Sequence, residues 1–163
     1  MDAPQVRIES ARWFPVPVER GFDFITDVDN WPRYWPGYVR LEPGSRWRSP
    51  GDDARLVIRL LGRERELAMH LLELVPNELV RYTSSQRGLP DAIHVREFEP
   101  DGDGFTYRLT VTYRPRAGVM GVFDRTLLAR SIRQAFAQTL AALEAELGKP
   151  RAGTWIDQVD DAQ

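Results

Sequence analysis

The pattern of apolar and polar residues predicts one long helix near the end of the chain and a series of short strands before it. In the helical run, from about 118 to 147, apolar residues recur at spacings of three and four, which places them on one face. At about 1.5 Å per residue this run is roughly 40 Å long, enough to span a small domain. We therefore predict that a sheet packs on the face formed by Leu128, Ile132, Ala135, Phe136, Thr139, Leu143 and Leu147.

Two short helices are predicted between the first strand and the remaining strands. Residues 5–14 alternate apolar and polar side chains, which is typical of a half-buried strand. Residues 18–25 then carry apolar side chains at helical spacing, and a second short helix begins at Asp29 or Asn30. The chain thus leaves the first strand through two helical turns before the other strands begin.

Six further segments alternate as strands do: residues 38–42, 54–60, 67–75, 79–85, 93–99 and 105–114. The Asp-Gly-Asp-Gly turn at 101–104 is a strong hairpin signal, and strands joined by hairpins form an antiparallel sheet. Such a sheet can leave one face in solvent, so the long helix must cover the other. The predicted class is α+β, with one domain over residues 1–148 and a polar tail, 149–163, that we expect to be disordered.

Composition excludes several kinds of function. The 22 basic and 24 acidic residues give a net charge of −2, which provides no field for gathering nucleic acid. The chain has no cysteine and two histidines far apart, so we expect no disulfide, no thiolate catalysis and no metal site. Without a Gly-rich phosphate loop or a nucleophile elbow, we expect neither a nucleotide cofactor nor serine–histidine catalysis. No run approaches the ~20 apolar residues of a membrane span, and we expect a cytoplasmic protein.

Three large aromatic residues share one face of the second short helix, because Trp31, Tyr34 and Trp35 stand at positions i, i+3 and i+4. One interpretation is a gate, meaning a wall of an apolar pocket that moves to admit a ligand. The other is a plug that closes one end of the sheet by ordinary packing. The pattern favours the plug for Trp31 and the pocket for Tyr34 and Trp35.

Strand alternation assigns some candidate side chains to the face that the helix covers. It places Tyr107 and Leu109 inward and their neighbours Arg108 and Thr110 outward. It also favours inward positions for Leu56, Ile58 and Tyr82. For His94 and Arg96 the assignment is open, because the adjacent Ile93 and Val95 are apolar and compete for the inward side.

The start of the long helix departs from its main stripe. Gly118 and Gly121 are poor residues for a helix interior, so a loop or a kinked turn is predicted there. Val119, Met120, Phe123 and Leu127 lie off the stripe, either closing the mouth of a cavity or packing against a loop. Arg125 lies on the stripe side and is either an anchor for a polar ligand group or an ordinary surface arginine.

Two stretches, residues 16–27 (VPVERGFDFITD) and 30–37 (NWPRYWPG), resemble the polyketide cyclase/dehydrase group of the START-like, Bet v 1-like (SRPBCC) superfamily. The EFEP sequence at 97–100, the hairpin after it and the closing helix extend the likeness over residues 6–147. The resemblance implies a helix-grip fold, in which a curved antiparallel sheet wraps around the C-terminal helix and encloses a deep hydrophobic cavity. It implies ligands such as lipids, quinones or polyketides, usually without a metal or a nucleotide.

Three functions follow as hypotheses. The first is binding or carriage of a small hydrophobic molecule, without nucleic acid or integral membrane association. The second is an aromatase/cyclase-like enzyme, which such relatives build from pocket Arg and Tyr residues; since Arg55 and Arg59 face outward, Arg96 or Arg125 would have to serve. The third is a protein-interaction module. The candidate ligand-binding residues are Trp31, Tyr34, Trp35, Leu56, Ile58, Tyr82, His94, Arg96, Tyr107, Leu109, Phe123 and Arg125.

Overall fold

A seven-stranded antiparallel sheet forms the body of the structure, a computed structural model that describes residues 4–60 and 62–149. The strands are β1 (Val6–Phe14), β2 (Tyr38–Leu41), β3 (Asp53–Leu60), β4 (Arg63–Val75), β5 (Leu79–Ser85), β6 (Ala92–Asp101) and β7 (Gly104–Tyr113). They lie in the order β1-β7-β6-β5-β4-β3-β2, so the first strand pairs with the last. The predicted disordered tail lies, from residue 150 onward, outside the described residues.

The predicted hairpin at 101–104 joins β6 to β7, with Asp101 opposite Gly104. Alternation also holds along β7, where Tyr107 and Leu109 are buried on the inner face. The expectation that Thr110 is solvated is wrong, because only 5% of this residue is exposed. Its strand is an interior one, and the cross-strand neighbours Glu9 and Val95 flank it on both sides.

Short helices connect the first two strands, as predicted. They are α1 (Val18–Thr26), a 3₁₀ turn (Val28–Asn30) and α2 (Trp31–Tyr34). The Asp27 carboxylate caps the 3₁₀ turn by accepting a hydrogen bond from the Asp29 amide at 3.0 Å. This cap stands earlier in the chain than Asp29 and Asn30, the two predicted caps, because the 3₁₀ turn starts the second helical segment early.

The closing helix is continuous but irregular in its first part. It consists of α3 (Val119–Phe123), a π-helical turn (Asp124–Leu128) and α4 (Ala129–Leu147). Gly118 precedes it with a φ of 65°, a conformation that favours glycine. The kink predicted for this region is therefore present as a change of helix type.

The predicted apolar stripe of α4 faces the sheet. Phe136, Thr139, Leu143 and Leu147 are all buried, and α4 packs against β1 and α2. Together these features form the predicted helix-grip architecture, with the core between the concave face of the sheet and the helices. Within the part of the chain that the structure describes, none of the helices is long and apolar enough to cross a membrane.

Gly21→Ala should destabilise the fold, although Gly to Ala in an exposed helix usually stabilises by about 1 kcal/mol. A Cβ at Gly21 would overlap the ring of Phe105, which is fully buried and has no free space to move into. We expect a loss of about 1–3 kcal/mol in the free energy of unfolding, measured by urea denaturation.

Arg20→Ala is the matched control, since Arg20 is exposed on the same helix. It should change the free energy of unfolding by no more than ~0.5 kcal/mol. A Gly21→Ala protein as stable as the wild type would show that α1 does not press on Phe105.

Candidate functional site

A cavity of about 190 Å³ lies between the concave face of the sheet, the α2 segment and the closing helix. Its walls are mainly aromatic and aliphatic, which suits a pocket for an apolar ligand. Strands β5, β6 and β7 contribute one wall, and α4 contributes the opposite one. The side chains that the following paragraphs use are Ile25, Trp31, Tyr34, Trp35, Trp47, Ile58, Val80, Tyr82, Ser84, His94, Arg96, Tyr107, Leu128 and Phe136.

Arg96 is the one residue with a formal charge among the described residues that line this cavity. It lies opposite Val80 in the β5–β6 register, on the same face as the buried Tyr82. The Arg96 Nη2 donates a hydrogen bond to the Tyr82 hydroxyl at 2.8 Å. Its guanidinium carbon stands 5.7 Å from the ring centroids of both Tyr82 and Phe136, within the range of cation–π attraction.

Tyr34 and Tyr107, two tyrosines near Arg96, are uncharged at neutral pH. Burial raises the pKa of Tyr107 to about 12, although the neighbouring guanidinium opposes this rise. Burial also raises the pKa of Tyr34, whose hydroxyl donates to the Ile25 carbonyl at 2.5 Å. The cavity therefore combines neutral phenols with one permanent positive charge, because arginine keeps its proton at every physiological pH.

His94 is a half-buried histidine on the same wall. Its Nε2 lies 2.8 Å from the Ser84 hydroxyl, and its ring stacks on Tyr82 with 4.6 Å between centroids. Burial, and secondarily the charge of Arg96, lower the pKa of His94 to about 3. Its Nδ1 is buried and has no hydrogen-bond partner in residues 4–60 and 62–149.

The Ser84–His94 pair was not anticipated from the sequence, which gave no support to serine–histidine catalysis. The structure brings these two side chains together but supplies no carboxylate to the imidazole within the described part of the chain. A histidine with so low a pKa is a weak general base. The pair is therefore better suited to orienting a hydrogen bond than to activating a nucleophile.

The aromatic cluster on α2 divides between core and cavity. Trp31 is only 2% exposed, and its Nε1 donates to the Ile25 carbonyl at 3.3 Å, as a packed residue would. Trp47 connects this cluster to the arginine, since it meets Trp31 edge to face at 5.7 Å and Tyr82 at 5.2 Å. Trp35 is half-buried and packs on Trp31 at 5.1 Å. Of the three predicted residues, Trp35 has the most freedom to act as a gate.

The structure places eight of the twelve candidate residues together on the cavity wall: Trp31, Tyr34, Trp35, Ile58, Tyr82, His94, Arg96 and Tyr107. Their contact with a ligand stays a prediction. Leu56 and Leu109 also face inward but are fully buried in the hydrophobic core and do not line the cavity. Alternation gives the face of a strand residue, but it does not show whether another side chain covers it.

The remaining two candidates, Phe123 and Arg125, lie away from the cavity wall. Arg125 belongs to the π-helical turn, which has more residues per turn than an α-helix, so it rotates off the stripe that α-helical spacing predicted. Of the apolar residues predicted to lie off the stripe, Val119, Met120 and Leu127 are exposed by 84%, 46% and 59%, and Phe123 is half-buried. None of the four lines the cavity.

Two of the cavity residues absent from the candidate set lie close to the Arg96–Tyr82 pair. Phe136 was assigned only to the core stripe of the long helix, yet it also faces the guanidinium of Arg96. Trp47 lies in the loop between β2 and β3, where no periodicity indicates its direction. The available signal was a large aromatic residue in an otherwise polar loop. Within the described ranges, no group of three or more His, Asp or Glu residues is placed to hold a metal ion.

His94→Gln should weaken the acid sensitivity of the fold. The pKa of His94 falls from 6.5 to about 3 on folding, so between these values the unfolded chain binds a proton that the native state does not. The free energy of unfolding of the wild-type protein should therefore be highest above pH 6.5 and fall as the pH drops toward 3, by up to ~1.4 kcal/mol per pH unit. His94→Gln should lack this contribution to the slope. Urea denaturation across this range measures the slope.

Ser84→Ala is the matched control for this slope, because it removes the partner of the imidazole but keeps the imidazole itself. It should retain the steep loss of stability in acid. If wild type and His94→Gln lose stability in parallel, His94 is not the group that resists protonation.

Comparison with solved structures gives the same fold. The Zhui aromatase/cyclase from Streptomyces sp. R1128 is 16% identical with a TM-score of 0.75, covering 88% of this chain and 94% of its own. The di-domain ARO/CYC StfQ from the steffimycin biosynthetic pathway is 18% identical with a TM-score of 0.72, covering 88% of this chain and 51% of its own. Ara h 8.0201 is 14% identical with a TM-score of 0.70, covering 88% of this chain and 98% of its own. At these identities the likeness is one of fold alone.

Comparison of sequences gives the family. No curated protein matches the chain significantly. The family model described as "Polyketide cyclase / dehydrase and lipid transport" matches residues 5–148, which is most of the chain and agrees with the resemblance seen in residues 16–27 and 30–37. The protein therefore belongs to the polyketide cyclase/dehydrase and lipid transport family.

Proposed function

We propose that this protein binds a small, mostly apolar molecule in the cavity, with an oxygen-bearing group of the ligand directed at Arg96. The observation that carries the proposal is a single guanidinium in a wall of aromatic and aliphatic side chains. Ligand pockets combine these features, because apolar area supplies affinity and a few polar groups fix orientation. Arg96 has more N–H donors than its neighbours Tyr82 and Tyr107 can accept, so donors remain for a ligand.

The size of the cavity supports a compact ligand. Its volume of about 190 Å³ is of the same order as an engineered cavity of ~150 Å³ that binds benzene in another protein. A ligand of one or two rings fits this volume without a large movement of the sheet. Trp35 is half-buried on the wall, and its displacement would enlarge the space.

Cyclase-like catalysis is the second candidate, and the convergence of Arg96, Tyr82 and Tyr107 favours it. A guanidinium and a phenol aimed at one carbonyl oxygen would stabilise the negative charge that develops as an enolate forms. Two aromatase/cyclases share the fold, which supports this candidate by analogy. Binding is favoured over catalysis because His94, with a pKa of about 3, is too weak a base to remove the proton.

Titration with 2-acetonaphthone, an uncharged two-ring ketone, tests the proposed binding. We expect saturable, one-to-one binding by calorimetry, with weak dependence on salt because the probe has no charge. Absence of saturable binding would contradict the proposal. Conversion of a linear poly-β-ketone into a cyclised product, lost in Arg96→Met, would establish the second candidate in addition.

Trp35→Ala should weaken the binding of 2-acetonaphthone by roughly fivefold to tenfold. Removing the indole withdraws on the order of 50 Å² of apolar contact, at about 25 cal/mol per Å². Trp13→Ala is the matched control, because Trp13 bonds to the Asp101 carbonyl outside the cavity and should leave the affinity unchanged.

The melting temperatures of the same two variants distinguish a gate from a plug. If Trp35 is a gate, Trp35→Ala loses affinity with a small change in melting temperature. A steep fall in melting temperature with unchanged affinity for the probe would mean that Trp35 is a structural plug.

A further inference from the structure

We propose that the ligand of this cavity is a monoanion, an apolar molecule with one carboxylate, and that Arg96 is the group that recognises the carboxylate. The inference rests on the proposed function, because it names the chemical class of the ligand in the same cavity. It follows from the balance of charge around Arg96 and from the shape of the guanidinium.

The charge of Arg96 is not neutralised by the described protein. No Asp or Glu among the described residues that line the cavity faces it, and no carboxylate oxygen in residues 4–60 and 62–149 comes within 4.0 Å of its nitrogens. The remaining polar side chains that line the cavity are a histidine that stays neutral, tyrosines, tryptophans, and Thr26, Ser84, Gln86, Ser131 and Thr139. The cavity therefore has a net charge of one positive unit.

Arg116 provides a comparison with Arg96, because Arg116 is an arginine whose role is structural. Arg116 donates from Nη2 to Asp124 Oδ1 at 2.6 Å and from Nε to Asp124 Oδ2 at 3.0 Å. The Arg116 backbone amide also donates to this carboxylate, at 2.8 Å, and Asp124 is fully buried. A carboxylate thus matches both ends of the Arg116 guanidinium. Arg96 lacks such a partner among the described residues, although it is half-buried on the cavity wall.

Neutral contacts offset only part of the cost of burying Arg96. Removing an ion from water is unfavourable, and the cation–π contacts of Arg96 with Tyr82 and Phe136 compensate for only part of the lost hydration. A carboxylate in the cavity would supply the opposite charge and accept two parallel hydrogen bonds from the planar guanidinium. The cavity thus supplies the cationic member of an ion pair, and the ligand supplies the carboxylate.

The rest of the wall limits the ligand to one charge and an apolar body. The side chains that the closing helix contributes opposite Arg96 are apolar, such as Leu128 and Phe136, or carry hydroxyls, as Ser131 and Thr139 do, so none brings a positive charge for a second anionic group. A phosphate monoester, with close to two negative charges at neutral pH, would bring excess charge into this surface. An aromatic or short aliphatic carboxylate fits both the volume and the charge.

Two isosteric probes test the inference: 2-naphthoate, which has a carboxylate, and 2-acetonaphthone, which has a methyl ketone in its place. With the wild-type protein at neutral pH, we expect calorimetry to give at least roughly tenfold tighter binding of 2-naphthoate. Arg96→Met removes the charge but keeps a long side chain. It should abolish this preference, so that the two probes bind Arg96→Met with affinities within roughly threefold of each other.

Arg125→Met is the matched control, because it removes an equal charge from an exposed arginine outside the cavity wall. It should retain the full preference for 2-naphthoate. Arg96→Lys keeps the charge without the planar fork and should retain only part of the preference. If Arg96→Met does not fold, the ratio of the two wild-type affinities and the Arg96→Lys result decide the question.

Equal affinity of the two probes for the wild-type protein would overturn the inference and leave the proposed function standing. A preference for 2-naphthoate that survives Arg96→Met, or that Arg125→Met removes equally, would also overturn it, because the charge would act from elsewhere. Saturable binding of neither probe would instead contradict the proposed function, on which the inference depends.

Discussion

A single helix cannot cover the concave face of a seven-stranded sheet. Strands lie about 4.8 Å apart, so such a sheet is roughly 30 Å wide, whereas a helix with its side chains is about 10 Å across. Here α4 packs against β1 and α2, at one side of the sheet. The short helix α1 covers part of the face of β6 and β7, and a cavity remains where the side chains of the sheet and the helices do not meet. The cavity is thus a consequence of the architecture.

Burial around this cavity explains the electrostatics of its residues together. The same removal of solvent raises the pKa of Tyr107 to about 12 and lowers the pKa of His94 to about 3, since each shift favours the neutral form. Arg96 alone cannot become neutral, and it depends on the Tyr82 hydroxyl and on ring faces for compensation. A stable fold with one charge left over is the arrangement expected of a site that a ligand completes.

The elements of the fold were predictable from local patterns. Alternation gave all seven strands, the Asp-Gly turn gave the β6–β7 hairpin, and helical spacing gave the buried face of α4. These patterns reflect burial against one neighbouring layer, which is the dominant local constraint on such elements. Bounds differed by a few residues, as for β4, which starts at Arg63 although its apolar alternation begins at Leu67.

The direction of His94 and Arg96 was not predictable by the same rule. Ile93, an apolar residue that competes for the inward side, is 46% exposed on the outer face of β6. His94 and Arg96, which are polar, point inward and line the cavity. A prediction from alternation assumes that apolar side chains point inward and polar ones point to solvent, and this assumption fails where polar groups line a cavity. Trp47 was not among the candidates because a loop has no periodicity, and Arg125 was assigned to the wrong face because a π-helical turn changes the helical spacing.

The most direct test of the central claim, that the Arg96 cavity is the ligand site, is a crystal structure of the protein with 2-naphthoate bound. The account predicts the naphthalene rings between Trp35 and Phe136, with a carboxylate oxygen at about 3 Å from an Arg96 nitrogen. A probe found instead on the exposed apolar residues Val119, Val122 and Leu127, with the cavity unchanged, would contradict it.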